Sequence, residues 1–292
     1  MSEVRTKNAQ SRGQSDFAQR FALLRQRRGP FCLGLDPSPE LLNGWGLADG
    51  VEGLRRFCFT VLDAAADQLT AIKPQSAYFE RFGSKGIAVL EECLEAIRDR
   101  ESLALLDVKR GDIGSTNQAY AEAYLDARSP LKADAITVHP YLGFLALAPF
   151  VEQASLSQTG LFVVVLSSNP EGRAIQNARV SSDTSVVQSL CDAIRDYNRS
   201  VCPQSTGPIG AVVGITAEQA EETVERLAGS LILAPGLGAQ GGEFAQLGKR
   251  FERAKDRVLP ASSRAVLSQG PNLKPLRESI KQHREKSWEA LS

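Results

Sequence analysis

Histidine is nearly absent from this chain: His139 and His283 are the only two in 292 residues. A zinc site built on imidazoles, or a Ser-His-Asp triad, has almost nothing to draw on. The five cysteines, Cys32, Cys58, Cys93, Cys191 and Cys202, are scattered and form no CxxC pair. That spacing weighs against thiolate metal sites and disulfides and favours buried free thiols. Net charge is lacking too. Lys plus Arg number 34 and Asp plus Glu number 34, so the basic excess of a nucleic-acid-binding protein is missing. One local cationic pocket for a phosphate stays open. No apolar run approaches the roughly 18–20 residues that span a bilayer. Residues 1–15 are polar, without the apolar core of a secretory signal. They read as a flexible N-terminus. No GxGxxG turn follows the first strand candidate, which removes the dinucleotide fingerprint. The expectation is a soluble cytoplasmic protein with no cofactor, no metal, no nucleic-acid partner and no membrane.

What is present is a recurrence. Runs rich in Val, Ile and Leu lie at 31–35, 69–72, 103–106, 135–138, 161–166, 209–213, 231–234 and 257–260. Eight is the number that a (β/α)8 barrel requires. Amphipathic stretches between them predict helices at 54–68, 87–100, 117–127, 185–201, 216–228 and 242–255. The alternation predicts a parallel sheet with helices outside, an α/β TIM barrel in one domain over 1–292. A first helix at 16–28 would plug or flank the barrel bottom, and 273–291 would close the chain. The polar stretch 169–184 reads as a long loop with lid character.

Chemistry gathers where these strands would end, which is where barrel active sites form. The densest stretch is 107–116, with two carboxylates, a lysine, an arginine and two hydroxyls. Alternate strand residues share a face, so Asp107 and Lys109 would point to one side. Asp112 follows on the loop. Such charges are costly to bury unless they pair or do chemistry. Asp36 and Lys73, at adjacent strand mouths, suit sugar hydroxyls. The glycine-rich turn 235–242 is either a tight connection or, as it opens a helix, a phosphate cradle. Ser262, Ser263 and Arg264 after strand eight favour phosphate, with Arg264 able to clamp it bidentately. Ser168 can donate to and accept from a planar heterocycle. His139, before Pro140, reads as structural.

The Asp-x-Lys-x-x-Asp-Ile-Gly-Ser-Thr block at 107–116 is the specific part of a wider pattern. With it stand Ile72-Lys73-Pro74-Gln75, Val138-His139-Pro140-Tyr141-Leu142-Gly143, Ser167-Ser168-Asn169-Pro170-Glu171-Gly172 and Pro235-Gly236-Leu237-Gly238-Ala239-Gln240-Gly241-Gly242. Together they resemble the orotidine 5′-phosphate decarboxylase family in its longer bacterial, type 2 form, from Gly34 to Arg264. The resemblance implies a cofactor-independent decarboxylation of orotidine 5′-phosphate to UMP, the last step of de novo pyrimidine nucleotide synthesis. It implies that Lys109 protonates C6 and that Asp107 lies beside the substrate carboxylate. It implies that Asp112, Ile113 and Thr116 serve the neighbouring subunit's site in a homodimer. Asp36 and Lys73 would hold the ribose, and Ser168 the pyrimidine, with Ser167 as a register alternative. Pro235, Gly236, Gln240, Gly241 and Arg264 would hold the phosphate. Sister barrels, the sugar-phosphate decarboxylases and hexulose-phosphate synthases, share the charged block but resemble one another in holding magnesium through an acidic residue after strand two. Lys73 stands there in this chain. A catalytically silent barrel would be expected to lose a member of the charged set, and none is lost.

Overall fold

A computed structural model describes residues 16–238 and 241–292. Its eight strands are β1 (Cys32–Leu35), β2 (Ala71–Pro74), β3 (Leu103–Arg110), β4 (Ala135–Val138), β5 (Gly160–Leu166), β6 (Ile209–Val213), β7 (Ile232–Pro235) and β8 (Val258–Ser262). They close into a parallel barrel in chain order, with Leu33 of β1 opposite Ser262 of β8. Each expected apolar run overlaps a strand. The fold is the (β/α)8 barrel.

Two apolar layers hold it. Outside the sheet, helices bury one stripe each. Helix Val51–Ala65 buries Leu54, Phe57, Cys58, Val61, Leu62 and Ala65, the three-and-four spacing of an amphipathic helix. Inside the barrel, Cys32, Ala71, Leu103, Leu105, Ala135, Phe162, Leu231, Leu233 and Leu259 form a second core. Helix Phe17–Arg28 closes its bottom. Phe17 and Phe21 are fully buried, and Phe17 meets Phe162 edge-on at 5.9 Å. Arg20 of this helix pairs with Asp134, whose other oxygen accepts the Ala104 N–H at 2.8 Å. The lower half is thus filled, and the upper half carries the open space.

The structure departs from the sequence expectation in several places. Strand β3 runs on to Arg110, with an irregular register between Leu106 and Arg110. Helix Ala148–Ser157 was not expected; only Phe150 and Ala154 of it are buried, too thin a stripe to read. The helix expected over 216–228 is confined to Ala220–Arg226, and that over 242–255 to Phe244–Arg250 with a short 3-10 turn at Glu252–Ala254. The stretch 169–184 is not a plain loop: it holds a turn at Pro170–Gly172 and a helix at Arg173–Gln176. All five cysteines are free thiols, four of them buried. No described helix is long and apolar enough to cross a membrane.

Candidate active site

The upper mouth opens into a cavity of about 630 Å3, lined from all eight strand ends and the loops after them. Its volume falls within the ~300–1,000 Å3 typical of small-molecule sites. Val164, Val212, Leu233 and Ala261 form an apolar floor against the barrel core. The charged residues stand above it.

Asp107 is the centre. Its Oδ2 accepts from Lys73 Nζ at 2.8 Å, and its Oδ1 accepts from Lys109 Nζ at 2.5 Å and from Thr137 Oγ1 at 2.8 Å. Gln75 lies across the ladder from Asp107. With its amide nitrogen turned toward these acceptors, it donates to Oδ2 at 3.1 Å and to the Asp107 carbonyl at 2.9 Å. Four donors therefore fill the two carboxylate oxygens. Burial alone would favour the neutral acid, but Lys73 and Lys109 override it and hold the carboxyl well below the usual carboxylate range. Burial likewise disfavours the Lys73 charge, yet Asp107 and Asp36 raise its proton affinity above the ordinary lysine value. Lys73 is buried. Lys109 differs: its side chain keeps 39% exposure, so the ammonium faces the open cavity.

Lys109 reaches that position by an unusual backbone. Its φ is +44°, in the left-handed region that costs a non-glycine residue about 1–3 kcal/mol. Plain strand alternation would also have brought Asp107 and Lys109 to one side. Here an irregular ladder does so, and the Lys109 N–H is received by Thr137 Oγ1 at 3.0 Å.

Asp36 lines the cavity, and its Oδ1 is buried without a hydrogen-bond donor among the described residues. It is an acceptor awaiting a hydroxyl. Ser168 and Ser167 both line the cavity. The Ser167 hydroxyl donates to Asn169 Oδ1 at 2.6 Å and accepts from Gln176 Nε2 at 2.8 Å. Both hydroxyls stand at the end of β5 facing the same cavity. Gly214 makes room for Ser168, since a Cβ there would lie 3.2 Å from Ser168 Cβ and 3.0 Å from its nitrogen.

The glycine-rich turn is built differently from a phosphate-binding helix start. Gly236, Gly238 and Gly241 have φ of 115°, 76° and 83°, which only glycine adopts readily. The turn bonds to itself: the N–H groups of Gly238, Gly241 and Gly242 donate to Gly242, Gly238 and Gly236 carbonyls. The helix that follows is capped by the Glu243 carboxylate, with Gln246 returning the bond. The capping box occupies the start of this helix, and Ala239 and Gln240 of the turn lie outside the described residues. Pro235, Gly236 and Leu237 line the cavity; Gly241 does not. Arg264, on the rim, has no hydrogen-bonded or ion-paired side-chain partner among the described residues, leaving its guanidinium open to an anion.

Asp112, Ile113 and Thr116 do not line this cavity. They sit on the rim and look outward, with Ile113 62% exposed. Asn117, fully buried and unforeseen from sequence, fixes this loop. Its Oδ1 accepts the Asp112 N–H at 2.8 Å, and its Nδ2 donates to the Asp112 and Ala146 carbonyls. Beside it stand exposed Tyr141, Leu142 and Leu145, an apolar patch rare on a free surface. His139 is not among the lining residues. Partial burial and the nearby Lys109 charge lower its proton affinity. Among the described residues, no group of three or more His, Cys, Asp or Glu side chains could hold a metal ion.

Residues 29–278 match the model of the orotidine 5′-phosphate decarboxylase / HUMPS family. An orotidine 5′-phosphate decarboxylase of Salinispora tropica is 50% identical over 261 residues, spanning 89% of this chain and 93% of that protein. One from Myxococcus xanthus is 44% identical over 268 residues, spanning 91% and 93%. A Streptomyces avermitilis crystal structure, provisionally assigned to the same enzyme, superposes with a TM-score of 0.90 at 42% identity, covering 97% of this chain and 98% of that one.

Proposed function

The chain belongs to the orotidine 5′-phosphate decarboxylase / HUMPS family, and from that premise we propose that it converts orotidine 5′-phosphate to UMP and CO2 with Lys109 as the proton donor. The observation that carries this reading is the Lys73–Asp107–Lys109 array above the apolar floor of a cavity whose rim offers Arg264, without a side-chain partner among the described residues. The phosphate meets Arg264, the ribose hydroxyls meet Asp36 and Lys73, and the pyrimidine meets Ser168. That order sets C6 of the ring above Lys109.

The chemistry follows from the charges. Breaking the C6–carboxylate bond releases CO2 and leaves the electron pair on C6. An ammonium at C6 stabilises that developing charge and then transfers its proton to it. Lys109 ends as a neutral amine and C6 gains one hydrogen, so atoms and charge balance. Asp107, fixed as an anion, pairs with Lys109 and lies beside the departing carboxylate. The C6 electron pair lies in the ring plane, where the ring delocalises it poorly, so the Lys109 ammonium supplies the stabilisation and no cofactor enters the proposed reaction.

The sister sugar-phosphate barrels remain the alternative within the family. A magnesium ion after strand two would have to sit against Lys73, a buried cation already paired with Asp107. Like charge repels it. The deciding assay follows absorbance as orotidine 5′-phosphate becomes UMP, with EDTA present. Turnover that withstands the chelator is expected; no turnover of this nucleotide would overturn the assignment.

Arg264→Ala separates binding from chemistry. Losing a bidentate, charge-assisted contact is expected to lower kcat/KM for orotidine 5′-phosphate about 10- to 100-fold, the effect of roughly 1.5–3 kcal/mol. The phosphate-free nucleoside is expected to react as slowly with the variant as with the parent. Equal losses on both substrates would remove Arg264 from the phosphate site.

The outward set of Asp112, Ile113 and Thr116, with the apolar patch beside it, supports a homodimer in which each subunit completes its neighbour's site. The soluble nucleotide substrate fits a cytoplasmic location.

A further inference from the structure

We propose that Thr137 is a positioning residue for this reaction: one hydroxyl that orients the Asp107 carboxylate and fixes the strained backbone of Lys109. The inference rests on the catalytic reading of those two residues. Thr137 lies on β4, fully buried, facing the barrel interior like Ala135 two residues earlier. A hydroxyl has one hydrogen and two lone pairs. Here the hydrogen goes to Asp107 Oδ1 at 2.8 Å and a lone pair takes the Lys109 N–H at 3.0 Å. Both bonds lie between β4 and β3, where the ladder is irregular between Leu106 and Arg110. The regular ladder cannot hold Lys109 there, because its φ of +44° breaks the extended backbone. The side chain of the next strand supplies the acceptor instead.

The bland alternative is that threonine is simply a good β-former in an apolar strand. Valine separates the two. It has nearly the same shape and β preference but no hydroxyl. Removing it leaves a buried N–H without a partner and strips one of the four donors from Asp107. Lys109 then samples positions away from C6. Ribose and phosphate contacts are untouched, so binding should persist.

The test compares Thr137→Val and Thr137→Ser with the parent on orotidine 5′-phosphate, with Lys109→Ala alongside. The valine variant is expected to lose about 10- to 100-fold in kcat, the scale of a misplacement near 1 Å, while KM changes by less than about threefold. The serine variant, which keeps the hydroxyl, is expected to recover most of kcat. A valine variant with parental kcat, or a serine variant as impaired as valine, overturns the proposal. If valine prevents folding, Thr137→Ala replaces it: serine active and alanine impaired supports the role, and equal activities overturn it. Lys109→Ala guards the premise. Full activity there would sink the catalytic reading itself, whereas an inactive Lys109→Ala beside an unimpaired Thr137→Val sinks only the role of Thr137.

Discussion

Lys109→Ala is expected to lower kcat/KM for orotidine 5′-phosphate by roughly 10^4-fold or more, combining a lost general acid with a lost electrostatic stabiliser. The fold should survive. The Lys109 side chain is 39% exposed and fills no core space. Asp107 would keep Lys73, Gln75 and Thr137 as donors, so no buried carboxylate is left alone. Alanine at φ +44° carries the same backbone strain as lysine, so stability at that position changes little. Circular dichroism and thermal unfolding check the fold, and steady-state kinetics check the chemistry. Turnover near the parental rate would remove Lys109 from the mechanism.

The second large effect concerns assembly. Lys109→Ala and Asp112→Ala subunits are each expected to be nearly inactive alone. In a mixed dimer with shared sites, one site combines both defects and the other combines both intact residues. Random exchange makes half the dimers mixed, so about a quarter of all sites should become whole. Activity should therefore rise from near zero to about a quarter of the parental value on mixing. Subunit exchange is verified by native mass spectrometry of a tagged pair. Proven exchange with no recovered activity would show that Asp112 acts in its own subunit or not at all. The single chain motivates the experiment: Asp112 is outside its own cavity, and buried Asn117 holds its loop rigid.

Much of this was readable in the residues because barrels repeat. Eight apolar runs of four or more residues recur along the chain, and each overlaps a strand. The charged residues at strand ends were visible for the same reason, since a buried strand rarely terminates in Asp-x-Lys without a use. What stayed hidden depends on register between strands. Thr137 reads as an ordinary strand residue between Ile136 and Val138, and its role exists only because β4 lies against the irregular end of β3. Asn117 reads as one more polar helix residue until its amide is seen binding the Asp112 backbone. The bond from Gln176 to Ser167 was equally hidden, since Gln176 lies in a stretch read as loop. The internal bonding of the glycine-rich turn was hidden for a related reason. Sequence gives its φ requirements but not which N–H groups the turn consumes internally.

The saturation of Asp107 has a consequence for the catalytic cycle as a whole. A carboxylate with four donors on its oxygens and a strongly depressed proton affinity cannot relay protons. His139, outside the cavity lining, is no substitute. In the proposed reaction Lys109 gives up its proton once per turnover, and neither Asp107 nor His139 is placed to restore it. The hydrogen must come from bulk water after the product leaves. The proposed decarboxylation thus asks for a dry chamber and the reprotonation of Lys109 for a wet one, two opposite demands on one barrel mouth.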